Sequence, residues 1–100
     1  MLKHVPNQFH NQFHIMKSSR KNKKYMAMFK DGKVVHFGDT RYEDFTVHKD
    51  EERKRLYLLR HKKNEDWNNP YSAGSLSRYI LWNKPTINDS VEDFKKRFNL

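Results

Sequence analysis

The sequence contains no cysteine, and it has only three glycines and three prolines. The lack of cysteine excludes disulfides and thiolate zinc sites, which small domains often need for stability. No apolar run approaches the roughly 18 residues that a membrane-spanning helix requires. The first 16 residues are interrupted by His, Asn and Gln, unlike a secretory signal peptide. We therefore expect a soluble protein inside a cell, or inside a particle assembled there.

Hydrophobic residues are also scarce, at 35% of the 100 residues against 33% charged residues. One chain of this length forms a single small domain with marginal stability and little room to enclose a pocket. The glycines are scattered, so no glycine-rich loop is available to cradle phosphate. Asp39, Asp44 and His48 could support phosphodiester chemistry, but they serve equally well as helix caps and ion-pair partners. We predict that the protein is not an enzyme and has no cofactor and no small-molecule substrate.

Positive charge is concentrated near the N-terminus. The formal net charge is +9, and residues 1–24 contain six Lys or Arg but no acidic residue. Residues 25–100 carry fifteen basic against twelve acidic residues. This division predicts a basic arm over residues 1–24 and a small domain over residues 25–100. Such an arm suits an anionic partner, whether nucleic acid, acidic protein or phospholipid headgroup, although a solvated arm that aids solubility explains the charge about as well.

The predicted arm contains a tandem repeat, in which Asn-Gln-Phe-His occupies residues 7–10 and again residues 11–14. A period of four places the two phenylalanines on one face in either a helix or a strand. We interpret the repeat as a docking peptide; the alternative is replication slippage in a disordered tail. The predicted partner-binding residues are Phe9, His10, Phe13, His14, Lys17, Arg20, Lys21, Lys23 and Lys24.

The histidines raise the question of a metal site. His10 and His14 have the i, i+4 spacing of a helical zinc pair, but the arm offers no carboxylate or thiolate as a third ligand. His36, His48 and His61 lie far apart along the predicted strand and helix. We therefore predict no metal site.

Asp31-Gly32 gives the clearest structural signal, because it separates two strand-like runs at residues 25–30 and 33–37. This pattern predicts a β-hairpin with a type I′ turn, in which both turn residues have positive φ. A helix is predicted over residues 47–63, capped by Thr46, and a second over residues 76–82. The fold class that follows is a small α+β domain: an N-terminal β-hairpin followed by two to three helices, with an extended basic N-terminal arm.

The last predicted helix starts near Asn88 or Asp89 and runs to Phe98. A single apolar stripe at i, i+4, i+7 and i+11 predicts that one face of this segment is buried; its members are Ile87, Val91, Phe94 and Phe98.

Two further features favour an anionic partner. A short basic run on the helix predicted over residues 47–63 could contact an anionic surface; it comprises Arg53, Lys54 and Arg55. Basic residues are also interleaved with aromatic ones, the mixture that proteins use to neutralise phosphates and stack bases. The same aromatic residues are needed for a core, and no familiar DNA- or RNA-binding motif is present.

Two stretches carry a resemblance to a known family. Residues 37–50 read Phe-Gly-Asp-Thr-Arg-Tyr-Glu-Asp-Phe-Thr-Val-His-Lys-Asp, and residues 72–84 read Ser-Ala-Gly-Ser-Leu-Ser-Arg-Tyr-Ile-Leu-Trp-Asn-Lys. Together they resemble an uncharacterised family of small basic proteins of nucleocytoplasmic large DNA viruses, from the chlorella-virus, mimivirus-like and marseillevirus-like groups. The resemblance extends from about Lys24 to Phe98, so the repeat lies outside it.

This resemblance implies an origin but no catalytic residues. It implies a virion-associated protein made in the host cytoplasm, and more specifically a minor capsid component that staples capsid subunits through its basic arm. Its partners would then be capsid proteins in a large assembly. The alternative from another class is a basic protein that binds and packages DNA in the viral core.

Overall fold

The computed structural model describes residues 13–100, which form a three-stranded antiparallel sheet followed by helices. The strands β1 (Phe13–Lys17), β2 (Lys23–Phe29) and β3 (Val34–Asp39) are adjacent in the order in which they occur in the chain. The α+β class predicted from the sequence is therefore confirmed. None of the helices in residues 13–100 is long and apolar enough to span a membrane.

The sheet has one buried face and one open face. Side chains alternate along each strand, so Phe13, Ala27 and Phe37 point to the core while Met16 and Met28 point away from it. Phe13 lies opposite Phe29, and Ala27 lies opposite Val35. The helices cover only the first of these faces, through a core that includes Leu76, Ile80, Leu81 and Phe94.

The N-terminal boundary of the domain differs from the prediction. β1 lies inside the predicted arm, yet it pairs with β2 along its whole length, and Phe13 is only 3% exposed. Burying Phe13 and Ile15 on one side of the strand outweighs the polar character of the segment. The prediction of an extended arm is therefore corrected for residues 13–24, which form β1, the turn after it and the start of β2. Phe9 and His10 lie outside the described residues.

The predicted hairpin is present between β2 and β3, but its turn is different. Only Gly32 has a positive φ, of 89°, so the type I′ prediction is wrong. The Gly32 N–H donates to the Phe29 carbonyl, and the Phe29 N–H donates to the Lys33 carbonyl, both at 2.9 Å. These bonds close a three-residue loop, a type that needs the left-handed conformation only at its last residue.

The helix predicted over residues 47–63 is divided in two. The first part is α1 (Phe45–His48), capped by Asp44, and the second is α2 (Glu51–His61), capped by Asp50. The predicted cap at Thr46 is wrong because two aspartates in extended backbone conformation take the capping role on either side of it. A left-handed residue, Lys49 with φ 54°, ends α1.

The C-terminal helices complete the core. α3 (Ala73–Leu76) begins three residues before the predicted start and continues as a π-helical turn, Ser77–Leu81, in which Trp82 N–H donates to the Ser77 carbonyl. α4 (Ile87–Phe98) is capped by Thr86. Its predicted apolar stripe is confirmed, since Phe94 is fully buried and the other three members pack against the core.

Candidate functional site

A shallow groove of about 620 Å³ lies at the end of the sheet where β1 turns into β2. Every basic residue predicted as a contact between positions 17 and 24 lines it. The other residues of its lining come from the same turn, from β2, from the segment before α1 and from α1 itself. The complete lining is Lys17, Ser18, Ser19, Arg20, Lys21, Lys23, Lys24, Tyr25, Thr40, Asp44, Thr46 and Val47.

Hydrogen bonds hold the β1–β2 turn in one conformation. The Ser18 N–H donates to the Lys24 carbonyl at 3.1 Å, and the Lys23 N–H donates to the Arg20 carbonyl at 3.3 Å. The Ser18 hydroxyl oxygen accepts from the Arg20 N–H at 2.9 Å and lies 2.7 Å from His36 Nδ1 on β3. The turn is thus tied to all three strands, which fixes the backbone from which the basic side chains project.

The groove carries a positive potential. Desolvation and then the nearby charges of Arg20 and Lys23 lower the pKa of the His36 imidazole. The single carboxylate in the lining is Asp44, and Lys24 neutralises it through an ion pair of 2.5 Å. Among residues 13–100, four cations of the groove form no ion pair and remain available to an anion; they are Lys17, Arg20, Lys21 and Lys23.

The other predicted contact residues do not join this groove. Phe13 stacks on Phe94 with ring centroids 5.0 Å apart, so its predicted role as a partner contact is wrong: the core buries its ring. His14 is exposed but points to the open face of the sheet. Phe9 and His10 lie outside the described residues.

The basic run on α2 diverges in space. Arg55 pairs with Glu52 at 2.6 Å, and Lys54 donates to the Asn83 carbonyl at 2.7 Å. Arg53 lines a second depression, beside the groove. Three consecutive helical residues face different directions at about 100° intervals, so a run in sequence does not make one patch.

This second depression is a cleft of about 580 Å³ between α2, the end of β3 and the segment from α3 to Trp82. Sequence reasoning did not find it, because its walls come from elements far apart in the chain and no local pattern signals such a meeting. Its aromatic and apolar lining includes Tyr42, Leu56, Tyr57 and Trp82. Its charged lining contains both signs: the basic residues Lys23, Lys24, Arg53 and Arg60, and the acidic residues Asp39, Glu43, Asp44 and Glu65. Lys23 and Lys24 line the groove as well.

A ladder of stacked rings forms one side of the cleft. The rings of Trp82 and Tyr57 are nearly parallel, at 4° with centroids 4.3 Å apart, and His61 stacks on the other face of Tyr57 at 4.3 Å. Burial, with the nearby Glu65 carboxylate, raises the pKa of Tyr57 to about 12. The Tyr57 hydroxyl therefore stays neutral at physiological pH, and the cleft combines planar rings with side chains of both charges.

The open face of the sheet is a separate apolar surface. Met16 lies opposite Met26, which lies opposite His36, and Met28 lies opposite Val34 in the neighbouring row. Met16, Met28 and Val34 are 45%, 36% and 44% exposed. No element within residues 13–100 covers this face. The same part of the chain contains no group of three His, Asp or Glu side chains placed to hold a metal ion.

Comparison with known proteins gives one informative match. A model described as "Family of unknown function (DUF5754)" matches residues 13–61. This segment starts at the first residue of β1 and ends at the last residue of α2, so it includes the whole sheet and every cation of the groove. No curated protein and no solved structure matches the chain. The chain is thus similar to a family of unknown function over its sheet and its first two helices.

Proposed function

We propose that the protein is a non-enzymatic nucleic-acid-binding protein of a large DNA virus, which binds DNA phosphates through the groove and serves in packaging in the viral core. The observation that carries this proposal is the clustering of Lys17, Arg20, Lys21 and Lys23 on one structured turn. The viral origin rests on the resemblance described above. Because these cations lie on the folded β1–β2 hairpin, they favour the packaging role over an extended arm that staples capsid subunits.

The physical basis is the release of counterions from nucleic acid. Each phosphate that a lysine or arginine neutralises contributes about −0.9 to the slope of log affinity against log salt on duplex DNA. Four such contacts give a slope of about −3.6, which corresponds to a loss of roughly 100-fold in affinity between 50 and 200 mM salt. The groove supplies the charge without base-specific groups, so little sequence preference is expected on duplex DNA.

The test is duplex binding by fluorescence anisotropy across a salt series. The groove variant replaces Lys17, Arg20, Lys21 and Lys23 by Gln, and leaves Lys24 in its ion pair with Asp44. The matched control removes the same charge from exposed lysines elsewhere; it replaces Lys62, Lys63, Lys84 and Lys96 by Gln. We expect the groove variant to flatten the salt slope by about 3.6, and the control variant to keep most of the wild-type slope. Equal losses in both variants would show that net charge alone, and not the groove, drives binding.

The open face of the sheet favours a second candidate, the minor capsid component. Exposed methionines adapt to varied partners, and an apolar face bordered by polar residues is typical of protein interfaces. If the protein is a minor capsid component, Met16, Met28 and Val34 contact a capsid subunit. Phe13 is buried and cannot make that contact. Virions separated into shell and core decide between the two: recovery with the shell, abolished by Met28→Gln, supports the capsid role, whereas recovery with the DNA core supports packaging.

A further inference from the structure

The groove and the cleft form one continuous path. Lys23 and Lys24 line both depressions, so the basic groove leads directly into the cleft. The lining changes along this path from lysine and arginine to rings, an apolar side chain and carboxylates. Each cleft carboxylate lies next to a basic side chain: Asp39 next to Arg41, Glu43 next to Arg53, Asp44 next to Lys24 and Glu65 next to His61. Among residues 13–100, the cleft cations Lys23 and Arg60 form no ion pair. A polyanion that leaves the groove therefore meets side chains suited to flat apolar groups.

Tyr42 offers an accessible ring on this path. It is 65% exposed, and its N–H donates to the Asp39 carbonyl at 3.2 Å, which fixes its backbone in the turn after β3. The Arg41 guanidinium lies 5.5 Å from the ring centroid. A single exposed tyrosine needs no functional explanation by itself. Tyr42 differs because it lines a cleft whose other side carries stacked rings and arginines.

The ladder of rings ends at the cleft. Both faces of Tyr57 are covered, by Trp82 and by His61, so His61 is the terminal member, and its side chain is 41% exposed. Arg53 is half exposed and 3.8 Å from Glu43, a surface pair that contributes little to stability and that an incoming phosphate can replace. Rings for stacking and guanidinium groups for phosphate thus lie on the same cleft.

We infer that the cleft takes an unpaired base, so that the protein binds single-stranded nucleic acid more tightly than contacts with its phosphates alone would allow. In a duplex the bases are stacked and paired inside, and only phosphates and groove edges are presented to the protein. In a single strand each base can stack on an aromatic ring while its phosphates follow a basic groove. A cleft of about 580 Å³ is in the size range of sites for small ligands such as one nucleotide, and too small for a duplex. This inference rests on the proposed phosphate-binding function and adds the class of nucleic acid.

The test compares the wild type and two Tyr42 variants on three ligands. A 12-mer of thymidine, an abasic strand with the same number of phosphates, and a 12-base-pair duplex are each titrated by anisotropy at one salt concentration. Tyr42→Ala should weaken binding of the thymidine strand about 10-fold, the range found for loss of one stacking residue. It should leave the abasic strand and the duplex unchanged. Tyr42→Phe keeps the ring and should bind all three ligands like the wild type.

The outcomes separate the two proposals. If Tyr42→Ala binds the thymidine strand as tightly as the wild type, or if thymidine and abasic strands bind equally, the base-stacking inference is overturned. The phosphate-binding function still stands in that case, provided that the groove variant weakens all three ligands. If the wild type binds none of the three, the proposed function and the inference both fail.

Discussion

Lys24 Nζ lies 2.5 Å from Asp44 Oδ2, and this ion pair joins the middle of the sheet to the start of α1. The two side chains are 17% and 4% exposed. Asp44 also accepts hydrogen bonds from the N–H and the hydroxyl of Thr46, so one carboxylate caps the helix and balances the lysine. Because α1 leads into α2, the pair positions the helix that forms one wall of the cleft, at the point where the cleft meets the groove.

Asp44→Ala should therefore destabilise the fold by about 3–5 kcal/mol, since it leaves Lys24 with an uncompensated, mostly buried charge and removes a helix cap. Asp44→Asn keeps a capping oxygen and should cost less. Urea unfolding followed by circular dichroism measures both. Asp39→Ala is the matched control, because it breaks a pair with Arg41, whose side chain is 76% exposed. A loss as small as that of the control would mean that the Lys24–Asp44 pair does not hold α1 on the sheet.

Phe13→Ala should cost about 3–5 kcal/mol, as large a loss as Phe94→Ala, because the two rings stack in the core. The neighbouring His14→Ala is the control; it alters an exposed side chain and should stay within about 0.5 kcal/mol of the wild type. The free energy of unfolding in urea provides the comparison. A change below about 1 kcal/mol for Phe13→Ala would place β1 outside the cooperative unit.

The position of β1 in the sheet also changes the effect that we expect from removing residues 1–23. The sequence alone predicts that residues 25–100 fold without residues 1–23, because the predicted hairpin and helices all lie in the longer segment. Removal of residues 1–23 deletes β1 and its contacts with Phe29 and Phe94. We now expect the truncated chain to lose its cooperative thermal transition, and a retained transition would show that β1 is dispensable.

Features that depend on neighbouring residues were predictable, and features that depend on distant contacts were not. The Asp31-Gly32 hairpin and the stripe of α4 are local patterns, and both are present. β1 was missed because only two of its five residues face the core, too few to form a recognisable alternation beside the repeat. The basic residues of the groove were identified by charge, but their grouping depends on the β1–β2 turn. The cleft depends on tertiary packing alone.

Tyr57 should make stability depend on alkaline pH. Its pKa is raised from 10 in the unfolded chain to about 12 in the fold, so the folded state retains the proton that the unfolded state loses. The raised pKa stabilises the fold by on the order of 2–3 kcal/mol below pH 10, relative to strongly alkaline solution. This stabilisation is lost as the pH rises towards 12. Urea unfolding at pH 9 and pH 11 should show about half of this loss, roughly 1.3 kcal/mol, in the wild type and a smaller loss in Tyr57→Phe. An identical pH dependence in both proteins would mean that Tyr57 titrates normally.

A side chain at Gly38 would strain the fold in two ways, through the backbone conformation and through steric overlap. Gly32 shares only the backbone conformation, so comparing the two positions separates the two effects. Both have positive φ, 85° and 89°, which costs an alanine about 1–2 kcal/mol. A Cβ at Gly32 would meet nothing within 4 Å, whereas one at Gly38 would lie 2.9 Å from Leu81 Cδ1 and 3.1 Å from Lys24 Cβ.

Leu81 is 2% exposed and has little room to move. Gly38→Ala should therefore lose a further 1–3 kcal/mol or so from overpacking, and Gly32→Ala only the backbone cost. Urea unfolding of the two variants measures the difference. A displaced Lys24 would also disturb its pair with Asp44, so Gly38→Ala should weaken nucleic-acid binding where Gly32→Ala does not. Equal stability of the two variants would mean that the close packing of β3, Lys24 and Leu81 does not limit the stability of the fold. Equal binding would mean that this packing does not affect the nucleic-acid site.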